Sequence, residues 1–436
     1  MDQFISLPRG TADILPEEAL LWQAMESQAR TVFGVYGYQE IRTPFFEETD
    51  LFARSVGQTS DIVQKQMLNL AAQTEAQEND KSTSLSLRPE GTASIVRSYI
   101  QNRLDKKEKL SKLFYIGPMF RGERPQKGRL RQFHQIGVEA IGPDSASPFL
   151  DAEVIALGTN LLKQLGLNDF VLRINTLGTL EDKGAFSGIL KDSLQDKIRN
   201  LCPDCQNRYD RNVLRVLDCK NKECRSVVEG LNFWRNCEYL SPKSKEYFEA
   251  VKKALDALEI TYVEDPKLVR GLDYYTHTVF EFSCQRLGSQ DAVGAGGRYN
   301  NLVEQLGGPV ADAVGFALGM ERILLATAKE GAELQAGLDA FVVCLQEEGL
   351  LKVFKLLQDL RARGVSADMN LRPGSMKSQM RQADKAKARF VLILGEEELK
   401  AGEVTLKDMK QGVQEKFRLG AFEEIVSKIR SNKSEN

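Results

Sequence analysis

The chain has 436 residues, of which 42% are hydrophobic and 28% charged, and its formal net charge is only −2. This length is enough for two or three domains, and the near-neutral charge excludes a general basic field that recruits nucleic acid, so a polyanionic partner must meet local patches. No apolar stretch approaches the roughly 20 residues of a membrane span, and the N-terminus lacks the pattern of a secretory signal. Seven cysteines are a sparse, odd set, so we expect a cytoplasmic protein without a disulfide framework.

The N-terminal part of the chain alternates between helical and strand-like patterns. Apolar residues at helical spacing predict a helix over 17–37, and the extended segment "YQEIRTPFFE" follows it. After a polar loop over 73–84, "LSLRPEGTASIVRSYI" predicts a strand, a tight turn and a helix. We then expect a hairpin over 112–142, a helix ending at Gly166 and a strand in "DFVLRINTLG".

The composition changes after this strand. Residues 180–259 are helical, charged and cysteine-bearing, which indicates an inserted subdomain. Strand character returns in "LVRGLDYYTHTVFEFSC", and "AVGFALGMERILLATAK" predicts a strand running into a helix. We predict one domain over 1–329, a linker over 330–337 and a second domain over 338–436. The second domain alternates strands and helices, which is typical of a small α/β unit with a parallel sheet.

The predicted hairpin carries an unusual density of positive charge. Its cations are Arg121, Arg124, Lys127, Arg129 and Arg131. Strand residues alternate between faces, so Gln135 and Glu139 lie on one face of the returning strand, and Arg121 is expected opposite that polar ladder. Such a face suits a zwitterion or a phosphate, because arginine offers a planar fork to both groups. A solvated edge hairpin is the alternative, but it does not explain polar residues inside the strand.

Two further charged residues stand at predicted strand and helix ends. Glu90 in "RPEGT" could receive a ligand ammonium or cap the following helix, and both interpretations stay open. Arg322 falls in the first turn of a helix, where a polyphosphate could bind. The alternative is a surface arginine paired with Glu321 or a neighbour.

A cation and a glycine-rich turn mark the region after the insertion. Arg270 is predicted inside an apolar strand near Tyr274 and Tyr275, and a buried cation requires an anionic partner. The glycines of "VGAGGRYNN" precede Arg298 and Tyr299 and allow a ligand to approach the backbone closely.

Histidine and cysteine usage limits the chemistry. The chain has two histidines: His134 is expected to pack structurally and His277 receives no role, so a histidine-based triad or metal centre is disfavoured. The pairs Cys202-x2-Cys205 and Cys219-x4-Cys224 could build a four-thiolate zinc site or could be reduced thiols, and the looser second spacing weakens the zinc interpretation.

These segments together resemble a known enzyme family. "GYQEIRTP", "FYIGPMFRGERPQKGRLRQFHQIGVE" and "AVGFALGMERIL" resemble motifs 1, 2 and 3 of class II aminoacyl-tRNA synthetases. "LVRGLDYY" and "AGGRYNNLV" resemble signatures of the histidine-specific branch, so the chain resembles histidyl-tRNA synthetases over essentially its whole length. Gly122 departs from the family pattern, which often has a histidine or a second arginine at this position.

The resemblance implies a fold, a reaction and residue roles. The implied fold is an α+β class II synthetase catalytic core, with an antiparallel sheet and helices, that forms a homodimer through motif 1 and precedes a C-terminal α/β anticodon-binding domain. The implied reaction ligates histidine to tRNA(His) with ATP and Mg²⁺. The resemblance implies that Glu90 and Thr92 bind the substrate ammonium, that Gln135 faces its ammonium and carboxylate end, and that Glu139 and Tyr275 bind the imidazole. Tyr274, Arg298 and Tyr299 are implied to lie near the histidine. Arg121 and Arg270 are implied to contact the ATP α-phosphate, and Arg322 the γ-phosphate.

Two alternative functions remain at this point. The first is a histidine-sensing regulatory relative without catalysis, although such proteins generally lack the anticodon domain and the ATP-site arginines. The second is a zinc-stabilised nucleic-acid-binding protein, which leaves Glu90, Gln135 and Glu139 unexplained. The C-terminal domain offers only generic basic candidates for RNA contact: Lys377, Arg381, Lys385 and Lys387.

Overall fold

The structure is a computed structural model that describes residues 5–58, 60–71, 84–231, 239–328 and 337–431, except for the side chains of residues 289 and 290. The chain divides into two compact units, Met1–Leu15 with Leu21–Ala332 and Pro16–Leu20 with Glu333–Asn436. Most of the predicted polar loop and linker lies outside the described residues. Among the described helices, none is long and apolar enough to cross a membrane.

The first unit is built on a large mixed sheet. Its strands are β1 (Gln39–Glu40), β2 (Phe46–Glu48), β3 (Leu85–Leu87), β4 (Ser111–Phe120), β5 (Gln132–Gly142), β6 (Val171–Thr176), β7 (Val263–Glu264), β8 (Thr276–Ser283), β9 (Ala292–Arg298) and β10 (Asp312–Gly319). Eight of them form one sheet in the order β1-β4-β5-β10-β9-β8-β6-β7, and β2 pairs with β3. The central pairs are antiparallel, as expected, and the edge strands β1 and β7 pair in parallel.

Ten α-helices accompany these strands in the described residues. They are α1 (Pro16–Val35), α2 (Thr49–Val56), α3 (Thr92–Gln101), α4 (Pro148–Gln164), α5 (Leu180–Leu194), α6 (Pro203–Arg211), α7 (Lys222–Glu229), α8 (Pro242–Ala257), α9 (Leu302–Gln305) and α10 (Met320–Thr327). Local sequence defines their starts. Ser147 caps α4 ahead of a proline at its first position, and Thr179 and Asp182 form a capping box on α5.

The two faces of the sheet carry separate apolar cores. Phe114, Ile136 and Val138 belong to one core, together with buried residues of α1, α4 and α8. Leu113, Tyr115 and the insertion helices belong to the other. Helix α8, predicted as part of the insertion, therefore packs with the core helices of the sheet, whereas α5, α6 and α7 pack on the opposite face.

The second unit is a five-stranded sheet with helices. Its elements are β11 (Ala340–Cys344), α11 (Leu350–Ala362), β12 (Ala367–Met369), α12 (Met376–Lys385), β13 (Phe390–Leu394), α13 (Glu396–Ala401), β14 (Glu403–Asp408), β15 (Gln414–Arg418) and α14 (Phe422–Ser431). The strand order is β12-β11-β13-β14-β15, and the first three strands are parallel. This matches the predicted alternation of strands and helices, and the antiparallel pair β14–β15 follows it.

One predicted strand is too long. The segment "LVRGLDYYTHTVFEFSC" becomes a strand only at Thr276, so Arg270, Tyr274 and Tyr275 lie in the loop before β8. The prediction of a cation inside an apolar strand is therefore wrong. A loop allows neighbouring side chains to point the same way, whereas successive strand residues point to opposite faces.

Candidate active site

A cavity of about 710 Å³ lies on one face of the large sheet, a volume typical of small-molecule sites. Its walls include the turn before α3, strands β4, β5, β9 and β10, the loop before β8 and part of the insertion. Eight predicted site residues line it: Glu90, Thr92, Arg121, Gln135, Arg270, Tyr274, Tyr275 and Arg322. Three others, Glu139, Arg298 and Tyr299, do not.

The β4–β5 hairpin presents its polar face to this cavity. Tyr115 is opposite Gly137 and Gly117 is opposite Gln135, so the predicted alternation of faces is confirmed. The space beside Gly137 is filled by the Tyr115 ring, since a Cβ at Gly137 would lie 2.4 Å from the ring. The carbonyl oxygen Oε1 of Gln135 is buried without a hydrogen-bond partner. Such an atom inside a cavity wall is suited to bind a ligand donor.

Glu90 combines the two roles that the sequence left open. Its carboxylate accepts hydrogen bonds from the backbone N–H groups of Thr92, at 2.8 Å, and Ala93, at 2.9 Å, and therefore caps α3. The same carboxylate lines the cavity. Burial raises the pKa of Glu90, although the two N–H donors oppose this shift. A ligand ammonium would favour the charged form of this carboxylate.

Glu139 lies beneath the cavity floor. The Thr92 hydroxyl donates to its Oε1 at 2.6 Å, and the Tyr299 hydroxyl donates to its Oε2. Burial raises the pKa of Glu139 to about 8, despite these two hydrogen bonds. Its Oε2 occupies the space beside Gly315, where a Cβ would lie 2.0 Å from that atom. Glu139 thus orients two hydroxyl groups, one of which belongs to a residue of the cavity wall.

Aromatic side chains form an apolar wall next to this carboxylate. The ring centroids of Tyr274 and Tyr275 are 4.6 Å apart, and those of Tyr274 and Tyr299 are 5.4 Å apart. All three tyrosines are buried, and burial raises the pKa of Tyr275 to about 12. They therefore stay neutral at physiological pH. Tyr274 and Tyr275 line the cavity and offer flat surfaces with hydroxyl groups to a planar ligand, and Tyr299 packs behind Tyr274.

Arg270 enters the cavity from the loop before β8. Its Nη1 donates to Glu281 Oε2 at 2.5 Å, while its Nε is buried without a partner. Burial alone would lower the pKa of Arg270, but Glu281 shifts it upward. Glu281 was missed by the sequence prediction, and only its position in an alternating strand could have indicated it. The ion pair holds a charged guanidinium at the cavity wall with donor capacity left.

Two more arginines line the same cavity. Arg121 Nε donates to the Pro89 carbonyl at 2.9 Å, and its guanidinium lies 5.1 Å from the Phe133 ring centroid. Burial lowers the pKa of Arg121 to about 10. Arg322 donates to the carbonyls of Gly128, at 3.2 Å, and Ala292, at 2.6 Å. Backbone carbonyls orient both side chains, and Arg121 also lies 3.9 Å from an oxygen of the Glu123 carboxylate, which Arg129 shares. Both guanidinium groups line the cavity, where an anion can pair with them.

The alternative for Arg322 was a surface arginine paired with Glu321 or a neighbour, but Arg322 lines the cavity and Glu321 has other partners. The Glu321 carboxylate accepts a hydrogen bond from the backbone N–H of His134 and lies 3.0 Å from the Nδ1 atom of the same histidine. The His134 ring also packs edge-on against Trp22, so His134 has the structural role that was predicted. Arg129, one of the five cations noted in the predicted hairpin, also lines the cavity and is paired with the buried Glu123.

Arg298 requires a correction. It is fully buried on the far face of the sheet, where its Nε donates to Asp151 Oδ1 at 2.9 Å and its Nη2 donates to the Ser145 carbonyl at 2.7 Å. The prediction grouped it with Tyr299, but successive residues of an extended chain point to opposite sides. Tyr299 therefore packs beside Tyr274, and Arg298 does not reach the cavity.

The remaining candidates lie outside this group. His277 is half-buried with a φ of +44°, and burial lowers its pKa. The basic candidates Lys377, Arg381, Lys385 and Lys387 are all exposed in the second unit. The four paired cysteines converge in the insertion, with their sulfur atoms within 4.8 Å of one another. Cys237 lies outside the described residues.

Comparison with known proteins extends over both units. The family model "Histidyl-tRNA synthetase" matches residues 10–323, and "Anticodon binding domain" matches residues 339–431. The chain is 45% identical over 427 residues to the histidine–tRNA ligase of Halothermothrix orenii, covering 98% of this chain and 99% of the relative. It is also 45% identical over 414 residues to that of Desulforamulus reducens, covering 94% and 96%.

A solved structure agrees with these sequence relatives. The apo histidyl-tRNA synthetase of S. aureus superposes with a TM-score of 0.78 at 37% identity, and the match covers 97% of this chain and 100% of the other. The observed fold is accordingly a class II synthetase core followed by a C-terminal α/β anticodon-binding domain. On this evidence, the chain belongs to the histidyl-tRNA synthetase family.

Proposed function

We propose that this chain ligates L-histidine to tRNA(His) through a histidyl-adenylate, with release of pyrophosphate and then AMP. The observation that carries the proposal is that one cavity is lined both by Glu90, Gln135 and Tyr275 and by Arg121 and Arg270. We assign the amino acid to the first group, which we call the polar end, and the triphosphate to the second group, which we call the cationic end. An amino acid and a nucleoside triphosphate can therefore lie next to each other in the same space.

The amino acid would bind at the polar end. Glu90 and the unpartnered Gln135 carbonyl are suited to the substrate ammonium. The imidazole would lie against the tyrosines, where Glu139 orients the hydroxyls of Thr92 and Tyr299. A buried site built from such groups discriminates strongly, because a wrong side chain leaves polar atoms unpaired.

The nucleotide would bind at the cationic end. Arg121 and Arg270 are assigned to the α-phosphate, and Arg322 to the γ-phosphate. When the histidine carboxylate attacks the α-phosphorus, the P–O bond to pyrophosphate breaks and negative charge develops on the phosphoryl oxygens. Cations held in advance by Glu281 and by backbone carbonyls stabilise that charge without reorganising. No side-chain nucleophile is required.

Magnesium fits this end as an ion carried by the triphosphate. Mg²⁺ binds phosphate oxygens with one or two carboxylates and retains water ligands. Asp218 and Glu281 are carboxylates in the cavity wall and could accept it. When bound, Mg²⁺ supplies charge neutralisation on the phosphates. The ribose hydroxyl at the end of the tRNA then attacks the adenylate carbonyl and releases AMP.

The domain organisation supports a tRNA substrate. We assign catalysis to residues 1–329, with an insertion at about 180–259, and anticodon binding to 338–436 after a linker at 330–337. The exposed basic residues of α12 are candidates for RNA contact. We further infer a cytoplasmic homodimer formed through motif 1, where Phe45 and Phe46 are both half-exposed. Exposed aromatic residues are typical of an interface.

The regulatory alternative is not favoured. A histidine sensor needs no triphosphate site and no anticodon domain, whereas this chain keeps Arg121, Arg270 and Arg322 in one cavity and matches an anticodon-binding model over 339–431.

The test is ATP–pyrophosphate exchange by the purified chain with each of the twenty amino acids. We expect exchange that depends on histidine alone. Histidine binding without exchange would overturn the proposal and support the regulatory function, and exchange driven by a different amino acid would overturn the substrate.

A further inference from the structure

Four cysteines of the insertion form a cluster that the proposed reaction does not use. Cys202 immediately precedes α6 and Cys205 lies in it, Cys219 lies in the loop before α7, and Cys224 lies in α7. All four thiols are free, and their sulfur atoms lie within 4.8 Å of one another. Residues from three separate segments therefore converge on one point, although the sequence shows only two loosely spaced pairs.

The spacing of the sulfurs fits a tetrahedral metal ion. Zinc binds thiolates at about 2.3 Å, which places the corners of its tetrahedron about 3.8 Å apart. The sulfurs of Cys202 and Cys219 are 3.9 Å apart. In addition, the backbone N–H of Cys202 donates to the sulfur of Cys224 at 3.1 Å. Donors of this kind stabilise a thiolate and orient metal ligands.

The helices that carry the cysteines have little other core. Within α6, all of which the structure describes, Cys205 is the one buried residue. Within α7, which is also fully described, Cys224 and Val228 are buried. Helices of nine and eight residues are marginal in isolation, and small units with a sparse apolar core usually require a metal or disulfides. The cluster thus joins two short helices that have few buried residues of their own, beside the buried Val213, Leu214 and Val216 of the segment between them.

This subdomain also forms part of the cavity wall. Arg215, Asp218 and Cys219 line the same cavity as Arg270. The Nη1 of Arg215 donates to the backbone carbonyl of Arg270 at 3.5 Å, and Asn212 Nδ2 donates to Asp273 Oδ1 at 2.7 Å. These contacts connect the segment between α6 and α7 to the loop that carries the adenylation arginine.

We propose that Cys202, Cys205, Cys219 and Cys224 bind one structural Zn²⁺ that holds α6, α7 and the loop between them in place beside Arg270. Four thiolates complete the coordination shell of zinc and leave no open position for a substrate. The ion therefore has a structural role and takes no part in the chemistry. Metal binding itself is independent of the proposed function, and only its effect on the cavity wall rests on that function.

The first test is metal content. Protein purified without added metal is expected to contain one zinc per chain by mass spectrometry, and a mercurial thiol reagent is expected to release it. Cys205→Ser and Cys224→Ser should abolish zinc binding. The matched controls Cys284→Ser and Cys344→Ser alter buried cysteines outside the cluster and should retain it. Wild-type protein without zinc would overturn the proposal, and iron on the same four cysteines would overturn the identity of the ion.

A second measurement uses the wild-type protein, so that the proposal can be tested even if the serine variants fail to fold. Wild-type protein is stripped with a chelator and given one equivalent of Co²⁺, which should produce the visible absorption of tetrahedral cobalt thiolate. Zinc should raise the thermal unfolding midpoint of the stripped protein and restore the KM for ATP. An unchanged midpoint with no cobalt spectrum would overturn the site. A protein that binds zinc but shows no exchange with histidine would instead contradict the proposed function, so the two failures are distinguishable.

Discussion

Replacing Arg298 with methionine tests whether this arginine supports the fold or binds substrate. Its side chain is 1% exposed and that of its partner Asp151 is 0% exposed. Methionine keeps much of the volume but leaves the carboxylate buried without its cation. Breaking a buried pair in this way costs about 3–5 kcal/mol. The control Arg42→Met removes a side chain that is 77% exposed beside Glu40, and should cost about 0–1 kcal/mol.

The assay is urea unfolding followed by tryptophan fluorescence, to which Trp22 contributes from the core on the Arg298 face of the sheet. The double variant Arg298→Met with Asp151→Leu removes the stranded charge and should recover much of the loss, as a double-mutant cycle would show. Full recovery is not expected, because the Ser145 carbonyl loses its donor. If Arg298→Met unfolds like the wild type and instead raises the KM for histidine, the reasoning is refuted and the substrate-binding role is restored.

Three further substitutions test other parts of the structure. Burial raises the pKa of Glu139 to about 8, so the folded protein binds a proton at this carboxylate more tightly than the unfolded chain does. The contribution of this proton to the free energy of unfolding is present at acid pH and is lost as pH rises through 8. Glu139→Gln should remove this dependence, whose slope is at most about 1.4 kcal/mol per pH unit, and equal slopes for both proteins in urea unfolding would contradict the assignment. Gly137→Ala places a methyl group against the Tyr115 ring and should lower the free energy of unfolding by about 1–3 kcal/mol in the same assay. The control Gly184→Ala adds a methyl group to open space on a helix and should raise that free energy by about 0.5–1 kcal/mol. Similar effects of the two substitutions would refute the packing argument. Glu281→Gln loosens Arg270 and should reduce ATP–pyrophosphate exchange by about 10-fold to 100-fold without weakening histidine binding in calorimetry, and unchanged exchange would show that the ion pair does not position the arginine.

Local patterns predicted much of the fold and about half of the geometry of the site. Strand alternation placed Gln135 and Arg121 on the same face, because the period of two is a property of the extended backbone itself. Helix ends and the C-terminal strand–helix alternation followed from apolar spacing and capping residues. These features depend on residues close together in the chain.

Contacts between residues far apart in the chain could not be predicted from the sequence. Arg298 and Asp151 are 147 positions apart, and no local pattern indicates that the fold joins them across the far face of the sheet. The loop position of Arg270 depends on where β8 begins to pair, which is decided by the neighbouring strand rather than by β-propensity. The convergence of four cysteines likewise depends on how α6 and α7 pack together.

The most direct test of the central claim is charging of a tRNA(His) transcript with labelled histidine by the wild-type chain and by Arg270→Ala. We predict histidine-dependent charging by the wild type and a loss of about 100-fold to 1,000-fold in the variant, the usual cost of removing one preorganised donor from a developing oxyanion, while calorimetry shows retained histidine binding. Charging at the same rate by both proteins would contradict the role of Arg270, and no charging by the wild type would contradict the account as a whole.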